Sequence, residues 1–346
     1  MLKLYHIIIF LFIILIICYY IKNKEKYLTL LPPSINVDSP YIYFLLNTPL
    51  NRLKAPLKQY KEGEKLPSIF IYNEKYFCPV RDQGECGACW AFVITSLLSD
   101  GTTIRIINFG KNLSVQDLLT CYPSTDGCEG AEPEAVLLWL EKTAFKVSIN
   151  DYYSPVDDGN CVQMAEKGIP VEKGSVISLC QYIDIESNNE KNKDIIEKNI
   201  YNMKRQIIEY GPIYSTLSIY SDFLNFKGKG VYKKNTNEFI GGHALEITGW
   251  CDEGVDLRKD YKEGYWVCKN TWGIDWCPQS DYPGYIAIRM GYNECGIESR
   301  CGSASPNVEY LSREKGVMGN LAFNNYNDYI INVIKLKKDK KFNFIK

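Results

Sequence analysis

At Gly211-Pro212 the hydrophobic pattern of this chain changes period, and that change limits the folds open to it. Upstream, apolar residues recur at helical spacing. Trp90 to Ile107 is largely apolar, as a helix buried on all sides should be. Leu113 to Leu119 offers Ser114 as an N-cap with acid in the first turn, Ala135 to Leu140 continues a third helix, and the charged stretch Asn188 to Tyr210 reads as an exposed helix ended by Gly211-Pro212. Downstream the period shifts towards two. Ile213 to Tyr220, Gly242 to Trp250, Gly264 to Lys269 and Gly284 to Met290 are short β-branched and aromatic runs bounded by Gly, Asp or Asn, as antiparallel strands should be. A helical half followed by a β half predicts an α+β class with two subdomains meeting at a cleft.

With 346 residues the chain can bury a substantial core, and a formal net charge of -1 gives no electrostatic case for a nucleic-acid partner. Leu4 to Ile21 is an almost unbroken apolar run, with Lys3 before it and Lys22, Lys24 and Lys26 after it. That pattern is a signal anchor or a signal peptide. No small-x-small cleavage site precedes Lys22, which favours an uncleaved anchor and a membrane contact through this segment. The trailing lysines would hold the body in the cytosol. Against that, 13 cysteines, of which eleven remain once Cys18 and Cys89 are set aside, suit an oxidising compartment, and this outweighs the flanking charge. The body is therefore expected membrane-anchored or in the secretory or endolysosomal lumen. Asn112-Leu113-Ser114 is a glycosylation sequon consistent with that placement. Residues 22–65, with prolines at 32, 33, 40, 49 and 56, read as a linker or pro-segment, 66–313 as the folded domain and 314–346 as a tail.

The chemistry gathers around Cys89. A glycine-flanked loop, Gln83-Gly84-Glu85-Cys86-Gly87-Ala88, delivers this cysteine to the start of the first helix, where the positive end of the helix dipole is expected to lower the thiol pKa. Cys86 and Cys89 could instead form a disulfide or metal pair. A cysteine nucleophile needs a base that also serves as acid for the leaving amine. The sequence has two histidines, His6 inside the apolar run and His243, so imidazole chemistry in the folded domain must come from His243. In Lys269-Asn270-Thr271-Trp272-Gly273, the Asn270 amide can accept the proton on the far ring nitrogen while the Trp272 indole shields that bond. Gln83 can point its amide, with the backbone N–H of Cys89, at the oxygen of a tetrahedral intermediate.

Gln83-Gly84-Glu85-Cys86-Gly87-Ala88-Cys89-Trp90 resembles the active-site signature of the papain family, and Leu66-Pro67-Ser68-Ile69-Phe70 resembles the usual mature N-terminus of cathepsins. The cathepsin B branch is suggested by Leu118-Leu119-Thr120-Cys121 followed by Gly127-Cys128-Glu129-Gly130, by Tyr220-Ser221-Asp222-Phe223-Leu224, and by Asn293-Glu294-Cys295-Gly296-Ile297-Glu298-Ser299. The resemblance spans roughly Leu66 to Arg300. It implies a helical left domain carrying Cys89, an antiparallel barrel-like right domain carrying His243 and Asn270, and a peptide lying across the cleft against Gly87, Gly130, Ala131, Pro133, Ala244, Trp272 and Arg300. It also implies a Cys86–Cys128 disulfide, no metal or organic cofactor, a monomer, and a cysteine endopeptidase working through a thioester. The competing reading is a catalytically silent binding protein on the same fold.

Three departures bear on specificity. Ala131 stands where the family has a glycine, and cannot easily take positive φ. The histidine-bearing loop that gives cathepsin B its carboxydipeptidase activity has no histidines here. Arg300 stands at the floor of the S2 pocket, where cathepsin B has a glutamate, so basic P2 side chains should be repelled. Arg300 could alternatively turn to solvent or pair with Glu298. The pro-segment lacks recognisable inhibitory motifs of the family.

Overall fold

A computed structural model describes residues 55–308 apart from 62, 64, 73–76, 106–108, 110, 124–126, 150–152, 154–160, 162–167, 184–189 and 257. The apolar run with His6, most of the linker and the expected tail lie outside the described residues. Among the described residues no helix is long and apolar enough to cross a membrane.

The helical half is built on α1 (Cys89–Arg105), which is buried from Trp90 to Ile104. α2 (Val115–Cys121) is capped as expected, with the Ser114 hydroxyl accepting from the Asp117 N–H at 3.2 Å. That leaves the sequon folded into the body, Ser114 buried and the Asn112 Oδ1 out of solvent. α3 (Pro133–Thr143) starts with proline at its first turn and stops at Ala144, which adopts the left-handed conformation (φ 53°). These three helices share one apolar core with Phe145, Val147 and Ile169, and a two-stranded sheet, β2 (Lys146–Ser148) with β3 (Gly168–Pro170), closes its outer side.

The second half is a sheet. Its strands in chain order are β1 (Ile69–Ile71), β4 (Ile177–Ser178), β5 (Ile213–Tyr220), β6 (Val231–Tyr232), β7 (Phe239–Cys251), β8 (Tyr265–Lys269), β9 (Tyr285–Arg289) and β10 (Cys301–Ser303). In space they run β4-β10-β5-β7-β8-β9-β6, with β1 also pairing β7. Two features differ from the expected antiparallel barrel: the strand path does not close on itself, and β6 lies parallel to β9. α4 (Glu190–Tyr210) packs across the sheet through Met203 and Ile207, and ends at Gly211, whose φ of +106° only glycine adopts readily. A one-turn helix, α5 (Ser221–Leu224), follows β5 and buries Phe223. Gly249 lets β1 cross β7, since a Cβ there would lie 2.3 Å from the Phe70 carbonyl oxygen.

The end of the expected linker is docked. Lys58 N–H donates to Ser178 O at 2.8 Å, and Ser178 N–H returns to Pro56 O at 3.0 Å. Ala55 N–H reaches Glu134 at 2.7 Å on α3, and the Tyr60 hydroxyl reaches Gln206 at 2.5 Å on α4. Residues 55–60 thus lie against both halves of the body.

Candidate active site

α1 packs directly on β7, so the first residue of the helix meets the strand that carries His243. The backbone N–H of Ala244, the residue after His243, is directed at the Cys89 sulfur, as are the N–H groups of Trp90 and of Cys89 itself. His243 is buried, and its Nε2 lies 2.6 Å from Asn270 Oδ1. Because an amide oxygen can only accept, Nε2 carries the proton and Nδ1 is left as the base. The Trp272 ring lies 4.6 Å from the imidazole, centroid to centroid, and covers that bond. Asn270 is held in turn by its N–H to Gly284 O at 3.1 Å.

Burial governs the charges here. It pushes the Cys89 thiol up, and the backbone N–H groups around the sulfur recover only part of the shift. The helix N-terminus, expected to lower the thiol, is opposed by the partial burial of Cys89. Burial likewise draws His243 down to about 4, against a smaller opposing effect of the Asn270 bond. Burial thus disfavours the charged form of each group taken by itself.

Gln83 is fixed on both sides. Its N–H donates to Thr271 O at 2.9 Å, its Oε1 accepts from the Thr271 hydroxyl at 2.5 Å, and its Nε2 donates to Cys86 O at 2.8 Å. One N–H of the amide remains for a ligand oxygen. Cys86 is bonded to Cys128, and Gly87 N–H donates to Cys128 O at 2.9 Å. A Cβ at Gly87 would come within 2.2 Å of that oxygen, so glycine is needed for the wall to close. In the wall, Gly130 takes φ +90°, whereas Ala131 is not among the positive-φ residues and sits there without strain. Pro133 is buried at the start of α3, and Ala244 is buried on β7 opposite Thr216. Thr216 N–H donates to Arg300 O at 2.9 Å, so Arg300 and Ala244 flank Thr216 from opposite sides of β5, and the Arg300 side chain is exposed. The Arg300 guanidinium lies over the Tyr182 ring at 5.1 Å. Glu298 is not its partner: that carboxylate is buried and accepts from Trp266, Gly291 and Asn293.

Sequence reasoning missed a charged cluster beneath the site. Lys269 Nζ lies 2.7 Å from Asp100 Oδ2 on α1, 3.1 Å from the Cys78 sulfur and 3.6 Å from Glu246 on β7. Burial pulls the Lys269 ammonium down, but Asp100, Cys78 and Glu246 together hold it well above its ordinary value. Burial and the neighbouring Asp100 push the Glu246 carboxyl well up, and Asp100 is the nearer of the two carboxylates to Lys269. The cluster ties the helix bearing Cys89 to β7, which bears His243, and to the end of β8, which Asn270 follows. The signal was available: Asp100 and Glu246 are charges inside otherwise apolar runs.

A cysteine at a helix start, set against the strand that carries a histidine hydrogen-bonded to an asparagine, is the arrangement of a thiol hydrolase. The family model for papain family cysteine proteases matches residues 67–305, and the chain belongs to that family. It is 31% identical over 238 residues to a gut-specific cysteine proteinase of Caenorhabditis elegans, covering 64% of this chain and 66% of the relative. It is 30% identical over 257 residues to cathepsin B-like cysteine proteinase 3 of the same organism, covering 68% and 65%. The matched stretch thus spans slightly less than two thirds of these relatives' lengths. Among solved structures, procathepsin B S9 from Trypanosoma congolense has the same fold, with a TM-score of 0.55 and 23% identity over 73% of this chain and 83% of that one. So does digestive procathepsin L2 from Tenebrio molitor larval midgut, at 0.56 and 22% over 74% and 75%.

Proposed function

We propose that this protein is a cysteine endopeptidase that hydrolyses peptide bonds through a thioester on Cys89. The observation that carries the reading is the meeting of Cys89, His243–Asn270 and a half-satisfied Gln83 amide at one junction of α1 and β7. As the sulfur attacks the carbonyl carbon, its proton passes to His243 Nδ1, and Asn270 keeps the resulting imidazolium oriented. The carbonyl oxygen becomes an oxyanion received by the remaining Gln83 N–H and the Cys89 N–H. His243 then protonates the leaving amine, and water, deprotonated by the same imidazole, releases the acid. Every step uses groups of this chain.

Endopeptidase rather than carboxydipeptidase action follows from the histidine count, since His243 is committed to the base and His6 lies in the apolar run. Arg300, exposed next to Thr216 and over the Tyr182 ring, favours acidic or neutral over basic P2 residues. Peptides with Arg, Leu or Glu at P2 test this: a preference for Arg overturns it. The three disulfides among the described residues, Cys86–Cys128, Cys121–Cys161 and Cys180–Cys301, support maturation in a secretory or endolysosomal compartment. Leu4 to Ile21 supplies the targeting signal or anchor, residues 66–313 form the peptidase domain, and 22–65 and 314–346 flank it.

The reading is tested with a thiol-reactive epoxide peptide followed by mass mapping. Labelling at Cys89 that disappears in Cys89→Ser is expected; labelling that persists in that variant would return the protein to a binding role with an incidental reactive thiol.

A further inference from the structure

The Gln83 side chain is held by Thr271 and Cys86, but its usefulness depends on the backbone beneath it. The next residue, Gly84, takes φ +60°, is exposed, and has nothing within 4 Å of where a Cβ would be. A peptide unit beside such a glycine rotates freely unless something holds it. Two contacts do. The Gly84 N–H donates to Asp82 Oδ1 at 2.9 Å in an exposed Asx turn, and the Gln83 carbonyl accepts from the hydroxyl of Tyr153. Tyr153 comes from a different part of the chain, 70 residues on, and its ring packs edge-on against Phe92 of α1, centroids 4.8 Å apart at 79°. Phe92 lies one helical turn beyond Cys89 and is fully buried. Burial, reinforced by Asp82, raises the Tyr153 phenol, so its O–H remains a donor at working pH.

We propose that Tyr153 is a positioning residue for the oxyanion donor, its hydroxyl pinning the Gln83–Gly84 peptide to the helix that carries the nucleophile so that the free Gln83 N–H stays on the developing oxygen charge. The proposal rests on the peptidase reading above. It assigns Tyr153 no contact with substrate. The residue acts only on the transition state, because the oxygen it serves is charged only there.

The variant is Tyr153→Phe, which keeps the ring on Phe92 and removes only the hydroxyl. Four quantities are measured on the full chain: kcat and KM on an internally quenched peptide, affinity for a peptide aldehyde whose hemithioacetal oxygen occupies the oxyanion position, and inactivation by a small alkyl thiosulfonate, which needs the thiol but no oxyanion. Active-site titration expresses each per competent site, so partial misfolding changes the titre and not the constants. We expect kcat and aldehyde affinity to fall together by about tenfold, less than the roughly hundredfold or more for loss of a whole oxyanion donor, with KM and thiosulfonate inactivation unchanged. In a Gln83→Ala background Tyr153→Phe should cost nothing further. An unchanged kcat, a thiosulfonate rate that falls in step with kcat, or full additivity with Gln83→Ala overturns the proposal. If the wild-type protein cleaves no peptide at all, the peptidase reading fails instead.

Discussion

On the helical side of the cleft Cys86, Cys121, Cys128 and Cys161 are cross-linked, whereas on the sheet side Cys251, Cys268, Cys277 and Cys295 are buried thiols. The difference follows from what each side lacks. The helical side presents its groove wall on loops, and a disulfide closes such loops more effectively than packing can. The sheet side already has its register set by β5, β7, β8 and β9, so its cysteines pack as small apolar side chains. Cys180–Cys301 sits where the sheet runs out, at the β4–β10 edge, and follows the first rule.

Between the two sides lies the Lys269–Asp100 pair, and breaking it should have the largest effect on stability. Lys269→Met leaves Asp100 buried without a counter-charge, and urea denaturation should show a loss of about 3–5 kcal/mol. Cys86→Ser/Cys128→Ser should cost about 2–4 kcal/mol and should weaken peptide turnover as well, since this bridge fixes the loop beside Gln83. Cys268→Ala should cost only about 1 kcal/mol, with turnover intact. If removing the sheet thiol damages activity as much as removing the bridge, the contrast between the two sides is wrong.

The two sides also differ in protonation. His243, drawn down to about 4, gains its proton only at strongly acid pH. Because its folded pKa lies below the unfolded value of about 6.5, it contributes stability that is complete above that value and is lost as pH falls through about 4. Turnover should hold from neutrality and fall through the same region, as the imidazole ceases to accept. With Cys89 pushed up, the free protein at pH 7 should lack the ultraviolet thiolate band, and a full band there would show that the dipole overcomes burial after all.

Much of this was legible in the sequence where the pattern is long or the motif dense. β5 runs over the same residues that its period marks, and Ser114 caps α2 as its position suggests. Cys89 and Gln83 could be named because Gln83 to Trp90 resembles the papain-family signature, His243 because the folded domain has no other histidine, and Asn270 from its place in Lys269 to Gly273 beyond it. Strands of two or three residues, such as β4, β6 and β10, were not visible, because their partners and not their own patterns make them strands. The docking of residues 55–60 depends on single hydrogen bonds to distant side chains. The raised Cys89 thiol depends on burial set by the tertiary fold, which no local pattern records. Disulfide partners other than Cys86 and Cys128 were equally out of reach, since cysteine spacing alone leaves many pairings open.

The central claim is that Cys89 and His243 act as one catalytic pair across the α1–β7 junction, and incubation with an internally quenched peptide blocked at both ends tests it most directly. The wild-type protein should cleave an internal bond, and Cys89→Ser, His243→Ala and the double variant should each lose activity by about the same factor, on the order of a thousandfold or more. Additive losses in the double variant, or cleavage that survives Cys89→Ser, would contradict it.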